Sequence, residues 1–153
     1  MTKLIAHRGL TTGPDQELEN KPHQIESALN QGYDAEVDVW YFVDTGFMLG
    51  HDEPLYPVSL EWLRQPGLWL HAKNLEALSL LRWENLNVFW HENDDHTMTA
   101  HKFIWTYPGI TTCERNGVLV MPETAEIDFA ALRHYKCYGI CSDYVEKIKE
   151  ALD

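Results

Sequence analysis

Gly, Pro, Asn and Asp cut this chain into short apolar or alternating runs, and that segmentation limits what it can fold into. Residues 3–7, 35–40, 68–73, 87–91, 103–106, 118–121 and 138–142 have strand length. A shorter extended piece, 47–49, follows the turn Asp44-Thr45-Gly46 and predicts a small hairpin. Helical patterns lie between several of these runs. Pro22 stands near a helix start, and Ile25, Ala28 and Leu29 form one stripe up to Gly32. Leu75, Leu78 and Leu81 mark a second helix, and 128–135, 144–152 and 59–65, with Ser59 as cap, read as shorter ones. Strands alternating with helices predict a parallel α/β sheet or barrel. The polar stretch Glu92-Asn93-Asp94-Asp95-His96 has little helical pattern, and 153 residues fall short of the roughly 200 or more of an eightfold barrel. The expectation is one domain over 1–153: a compact, trimmed TIM-like (β/α) barrel with several outer helices missing or shortened.

With 44% hydrophobic residues the chain can bury a core, and no apolar stretch is long enough to span a bilayer. Met1-Thr2-Lys3 leads straight into a strand, without the apolar run of a signal peptide. Cys113, Cys137 and Cys141 make neither a disulfide framework nor a zinc motif, so buried free thiols in a reducing, cytoplasmic setting are expected. A net charge of −12 repels nucleic acid and anionic membrane surfaces at long range. The expected partner is therefore a small molecule, with no nucleic acid and no membrane. Outer helices missing from a barrel leave apolar sheet surface uncovered, which predicts a homo-oligomer.

The chemistry-bearing residues fall in a definite order. His7-Arg8-Gly9 follows the apolar Leu4-Ile5-Ala6, Glu36-Val37-Asp38 lies within an apolar strand, and His51-Asp52 follows Phe47-Met48-Leu49-Gly50. Residues i and i+2 of a strand share a face, so Glu36 and Asp38 can reach one hard cation together. Two carboxylates on a buried strand repel each other unless a cation lies between them; the plain alternative is a solvated edge strand. Imidazole titrates near neutrality, so His7 and His51 suit an acid/base pair. Their plain alternative is a pair of histidines capping strand ends. Such a set is what metal-assisted phosphodiester cleavage requires.

The ordered signatures resemble the glycerophosphodiester phosphodiesterases, within the wider group of phospholipase C-like phosphodiesterases. Ile5-Ala6-His7-Arg8-Gly9 is similar to the family's first strand and catalytic turn, and Glu19-Asn20 before a helix and Gly32 to its next signature. Glu36-Val37-Asp38-Val39 resembles the metal strand, Gly50-His51-Asp52 the second histidine turn, and Lys73 the family lysine. Trp105-Thr106 and Gly139-Ile140-Cys141-Ser142-Asp143-Tyr144 resemble the last strands. The resemblance implies a TIM-like barrel, a divalent metal and hydrolysis of a glycerol-linked or related phosphodiester in lipid metabolism. One departure is His71, where the family carries an acidic residue two positions before its lysine. The ion expected is Mg²⁺ or Ca²⁺, with Mn²⁺ or Zn²⁺ as the alternatives that an imidazole ligand favours.

On this reading His7 is the base and His51 the acid, while Arg8 and Lys73 neutralise phosphate charge or serve as ion-pair partners. Glu36 and Asp38 hold the metal. Glu19 is a third ligand, a partner behind the ligands or a plain helix-start acid, and His71 is a ligand or a pocket donor. Asn20 is assigned to substrate binding, where it can also orient Glu19, and Trp105 is a pocket wall or core. His7, Asp38, Lys73 and Asp143 lie at or near strand ends that a barrel would gather at one mouth. The polar cluster His91-Glu92 and Asp94-Asp95-His96 has no assigned role. Alternatives are a lyase-type phosphodiesterase that releases a cyclic phosphate by the same two histidines, a non-catalytic phosphate-ester binding module, and a structural protein that pairs its exposed strands with another chain.

Overall fold

A computed structural model describes residues 2–153. Ten strands join one sheet: β1 (Lys3–Ala6), β2 (Asp34–Phe42), β3 (Gly46–Leu49), β4 (Tyr56–Val58), β5 (Leu68–Ala72), β6 (Val88–Phe89), β7 (His96–Met98), β8 (Ile104–Thr106), β9 (Gly117–Val120) and β10 (Gly139–Ser142). The helices are α1 (Pro22–Asn30), α2 (Leu60–Leu63), α3 (Leu75–Trp83) and α4 (Val145–Leu152).

Seven strands run parallel in the order β6-β5-β2-β1-β10-β9-β8. The long β2 branches the sheet. Its start pairs with β1 and its outer half, Val39–Phe42, pairs antiparallel with β3, while β5 runs along its other edge from Ala35 to Val39. β4 lies antiparallel on β3, and β7 antiparallel on β8.

This architecture corrects the trimmed TIM-like barrel expected from the sequence. The sheet curls into a half-barrel, mostly strands with few helices, and helices do not separate the strands all round. Between β6 and β8 the chain forms the short antiparallel β7, and β6 is joined to that side by one backbone hydrogen bond, Ala100 N–H to the Val88 carbonyl (2.8 Å). Two-residue β6 and three-residue β8 are too short to build a closing ladder. The segment expected to be a helix over 128–135 is a 3-10 turn, Phe129–His134.

Alternation along β2 explains the layers. Val37 and Val39 point to the outer side, where Leu68, Leu70, Leu49 and the buried faces of α1 and α3 pack. The concave side holds Ile5, Trp69, Phe89, Trp105, Val118 and Val120, and Glu36 and Asp38 alternate onto it. Asn74 caps α3 by accepting from Ala77 N–H (3.2 Å), and its amide also clasps the Tyr41 backbone. Ser59 caps α2 as expected, accepting from Trp62 N–H (3.0 Å). No helix of the described residues is long and apolar enough to cross a membrane.

Candidate metal centre and acid–base site

The parallel strands end on one side, and the residues just beyond or near those ends face one cavity of about 410 Å³. β1 ends at Ala6, and His7-Arg8-Gly9 makes a 3-10 turn with Arg8 in the left-handed region (φ 51°, ψ 25°). That conformation costs a side-chain-bearing residue about 1–2 kcal/mol. Here it aims the Arg8 N–H at Glu36 Oε2 (3.1 Å) and its guanidinium at Glu19 (2.9 Å) and Asp38 (3.4 Å). Gly9 makes the turn compatible with α1: a Cβ there would lie 2.6 Å from Ile25 Cδ1 and 3.2 Å from Ile25 Cα. Gly50 does the same for His51, since its Cβ would meet the Glu53 carbonyl oxygen at 1.8 Å.

Register sets the core of the site. Asp38 pairs with His71 across β2 and β5, so the two side chains rise side by side on the concave face. Glu36, Asp38 and His71 each offer a ligand atom within 4.8 Å of the others. Phe89, opposite His71 on β6, stacks on the imidazole at 5.0 Å. His71 Nε2 donates to the His91 carbonyl (3.0 Å), which places the ring proton on that nitrogen. Nδ1 then faces Asp38 Oδ1 at 3.2 Å and Glu36 Oε1 at 3.8 Å. A lone pair aimed at two carboxylates is repulsive unless a second proton or a cation lies among them.

Asp38 is 1% exposed, yet its charge is well supported. Burial works against the carboxylate, but the His51 hydrogen bond and the neighbouring His71 and Arg8 cationic groups hold its pKa well below the usual range. Asn20 clasps it, donating Nδ2–H to Asp38 Oδ2 (2.9 Å) and accepting the Asp38 N–H at Oδ1 (2.9 Å). Glu36 is the opposite case. Burial and the neighbouring Asp38 charge push its carboxyl up, and His7, His71 and Arg8 offset only part of this. A buried carboxyl driven toward its protonated form beside an ionised one is a site short of positive charge. The oxygen–oxygen–imidazole donor set therefore fits a divalent cation, and the nitrogen donor suits Mn²⁺ or Zn²⁺ better than an all-oxygen set would.

The two acid–base candidates flank this pair. His51 Nδ1 donates to Asp38 Oδ2 (3.2 Å), and its Nε2 lies 3.8 Å from the exposed Asp52 Oδ1. His7 Nδ1 donates to Asp143 Oδ1 (2.8 Å), and its Nε2 lies 3.9 Å from Glu36 Oε2. Burial opposes a charged His7, but the Asp143 hydrogen bond and the Glu36 charge outweigh it and lift its pKa above the ordinary imidazole value. Lys73 Nζ lies 4.0 Å from Asp38 Oδ1 and makes no closer ion pair among the described residues.

Glu19 and Asn20 lie behind the donor group, which for Glu19 is one of the expected alternatives. Glu19 is outside the three-residue donor group; it holds Arg8 and lines a neighbouring cleft with His51 and Asp52. Asn20, expected to touch substrate, is buried with both amide atoms on Asp38, and it does not line the cavity. Trp105 lines the cavity and is also core: it is 4% exposed and stacks on Phe89 at 4.6 Å.

Asp143, expected near the mouth from its strand end, and Glu123, which closes a strand and was expected to face the same mouth, border the site, although the sequence assigned neither a chemical role. Glu123 Oε1 accepts from Ser142 Oγ (2.8 Å) and Asp143 N–H (3.2 Å), fixing the loop that presents Asp143. Strand pairing brings them together: Ala6 lies opposite Ser142, so the next residues, His7 and Asp143, become neighbours.

No protein-family model, curated protein or solved structure matches this chain.

Proposed function

We propose that this chain is a metal-dependent phosphoric diester hydrolase that works by paired-histidine acid–base chemistry. The carrying observation is the convergence of two imidazoles, His7 and His51, on one buried carboxylate pair, with the Arg8 and Lys73 cations on the same cavity. Glycerophosphodiesters are the substrate class that the sequence resemblance suggests.

Glu36, Asp38 and His71 would hold the divalent ion, which when bound supplies Lewis-acid polarisation of a phosphoryl oxygen. His7, its Nδ1 proton held by Asp143, takes a proton at Nε2 from the attacking water. Asp143 stabilises the imidazolium that results. His51 gives a proton to the departing alkoxide from Nε2 while Asp38 holds its Nδ1. Lys73 and Arg8 lower the charge that builds on the phosphoryl oxygens.

The test is release of alcohol from several phosphodiesters with Mg²⁺, Ca²⁺, Mn²⁺ and Zn²⁺ in turn. Glu36→Ala with Asp38→Ala, and His7→Ala separately, are expected to abolish metal-dependent turnover. Unchanged turnover in the double variant would refute the metal assignment, and no cleavage of any diester with any ion would refute the enzyme itself.

A further inference from the structure

We infer that the diester taken by this site carries one uncharged apolar arm, aryl or alkyl, that lies along Trp105, Tyr107, Pro108, Val120 and Met121. The inference rests on the phosphodiesterase reading above. The cavity has two unlike halves. The ends of β1, β2 and β5 supply the ionisable half, with His7, Asp38 and Lys73 among its members. The ends of β8 and β9 supply the other, where the lining is aromatic and aliphatic and includes no lysine or arginine.

Glu92, which follows β6, adds a negative charge to the same lining, and its sign repels a second phosphate or a carboxylate. An arm bearing such a group would find no partner there, whereas an apolar arm would leave water for an apolar wall. The wall is built firmly. Trp105 is stacked on Phe89 (4.6 Å) and packed beside Trp69 (5.7 Å). Tyr107 is tied by its N–H to the Asp95 carbonyl (2.8 Å), and its ring meets His91 edge-on at 5.4 Å.

Met121 adds a second, independent sign. It sits in the left-handed region (φ 48°, ψ 60°) directly before Pro122. A bulky residue there is strained, and residues before proline favour extended backbone. Its N–H donates to the Cys141 carbonyl (2.7 Å), and its own carbonyl accepts from Thr124 N–H (2.9 Å) and Oγ1–H (2.8 Å). These bonds hold the strained backbone in place and keep a polarisable thioether on the cavity lining.

The test is calorimetric titration of the protein, with and without Mn²⁺, using phenyl phosphate, methyl phosphate and inorganic phosphate. Phenyl phosphate is expected to bind about tenfold more tightly than methyl phosphate. Tyr107→Ala and Met121→Ala, chosen because Trp105 also supports the core, are each expected to shrink that ratio severalfold. Equal binding of the two esters overturns the apolar arm and leaves the phosphate site standing. A ratio unchanged in both variants overturns its placement on this wall. Failure of all three ligands to bind overturns the phosphodiesterase reading, and this inference with it.

Discussion

Asp143 Oδ1 accepts a 2.8 Å hydrogen bond from Nδ1 of His7, joining residues 136 apart in sequence. Parallel pairing of the first and last strands makes them neighbours, and Glu123 fixes the Asp143 loop from below. The proton on Nδ1 leaves Nε2 free toward Glu36 and the cavity. One carboxylate thus sets the tautomer, orientation and charge preference of the residue placed as general base.

Asp143→Asn removes the charge that helps lift the His7 pKa and leaves burial, which lowers it. The limb of the pH–rate profile that reports His7 should move to lower pH, and kcat should fall by on the order of 10²–10⁴. Rate against pH, measured for both proteins under saturating metal, is the check. A fall in rate with an unmoved limb would make Asp143 only a packing residue.

Asn20→Ala strips one hydrogen bond from the buried Asp38 carboxylate and one from its backbone N–H. Leaving Asp38 less satisfied should destabilise the fold by about 3 kcal/mol, read as a lower urea midpoint with an unchanged slope. Glu19→Gln touches a partly exposed ion pair instead and should cost under about 1 kcal/mol.

The two buried acids give opposite pH signatures in the metal-free protein. Asp38, whose folded pKa is depressed, contributes stability above the usual carboxylate pKa and loses it as pH falls through the depressed value. Glu36, whose folded pKa is raised, contributes stability below its unfolded pKa and loses it as pH rises through the folded value. A divalent ion competes with the Glu36 proton. Metal should therefore raise Tm more at about pH 8 than at about pH 5. Titration in two buffers of different ionisation enthalpy should register proton release.

His71→Asp converts the donor set to oxygen alone. Affinity for Mn²⁺ and Zn²⁺ should drop about tenfold, while that for Mg²⁺ or Ca²⁺ should hold or rise. Competition among these ions, followed by calorimetry, decides it. Unchanged preference would place His71 outside the metal's reach.

Much of the local structure was legible. Pro22 and the Ile25–Leu29 stripe mark α1, and Leu75, Leu78 and Leu81 mark α3. The missed strands are Tyr56–Val58 and His96–Met98. Three residues carry no periodicity, and each pairs only because a neighbouring strand offers an edge. The barrel expectation failed for a related reason: strand-like runs were visible, but whether short β6 and β8 could complete a ladder was not. Asn20 was misplaced because a polar residue beside a signature carries no mark of whether it faces the cavity or the back of a ligand.

The pattern of residues was enough to bring His7, Arg8, Glu36, Asp38, His51 and Lys73 forward as one chemical set. Strand periodicity puts both acids on one face, and that much is local geometry. Folding alone decided that Asp143 holds His7, that Asn20 clasps Asp38, that Glu19 serves Arg8, and that the sheet stays open. Each of these depends on register between strands distant in sequence, and register is set by packing across the whole core rather than by any short stretch of chain.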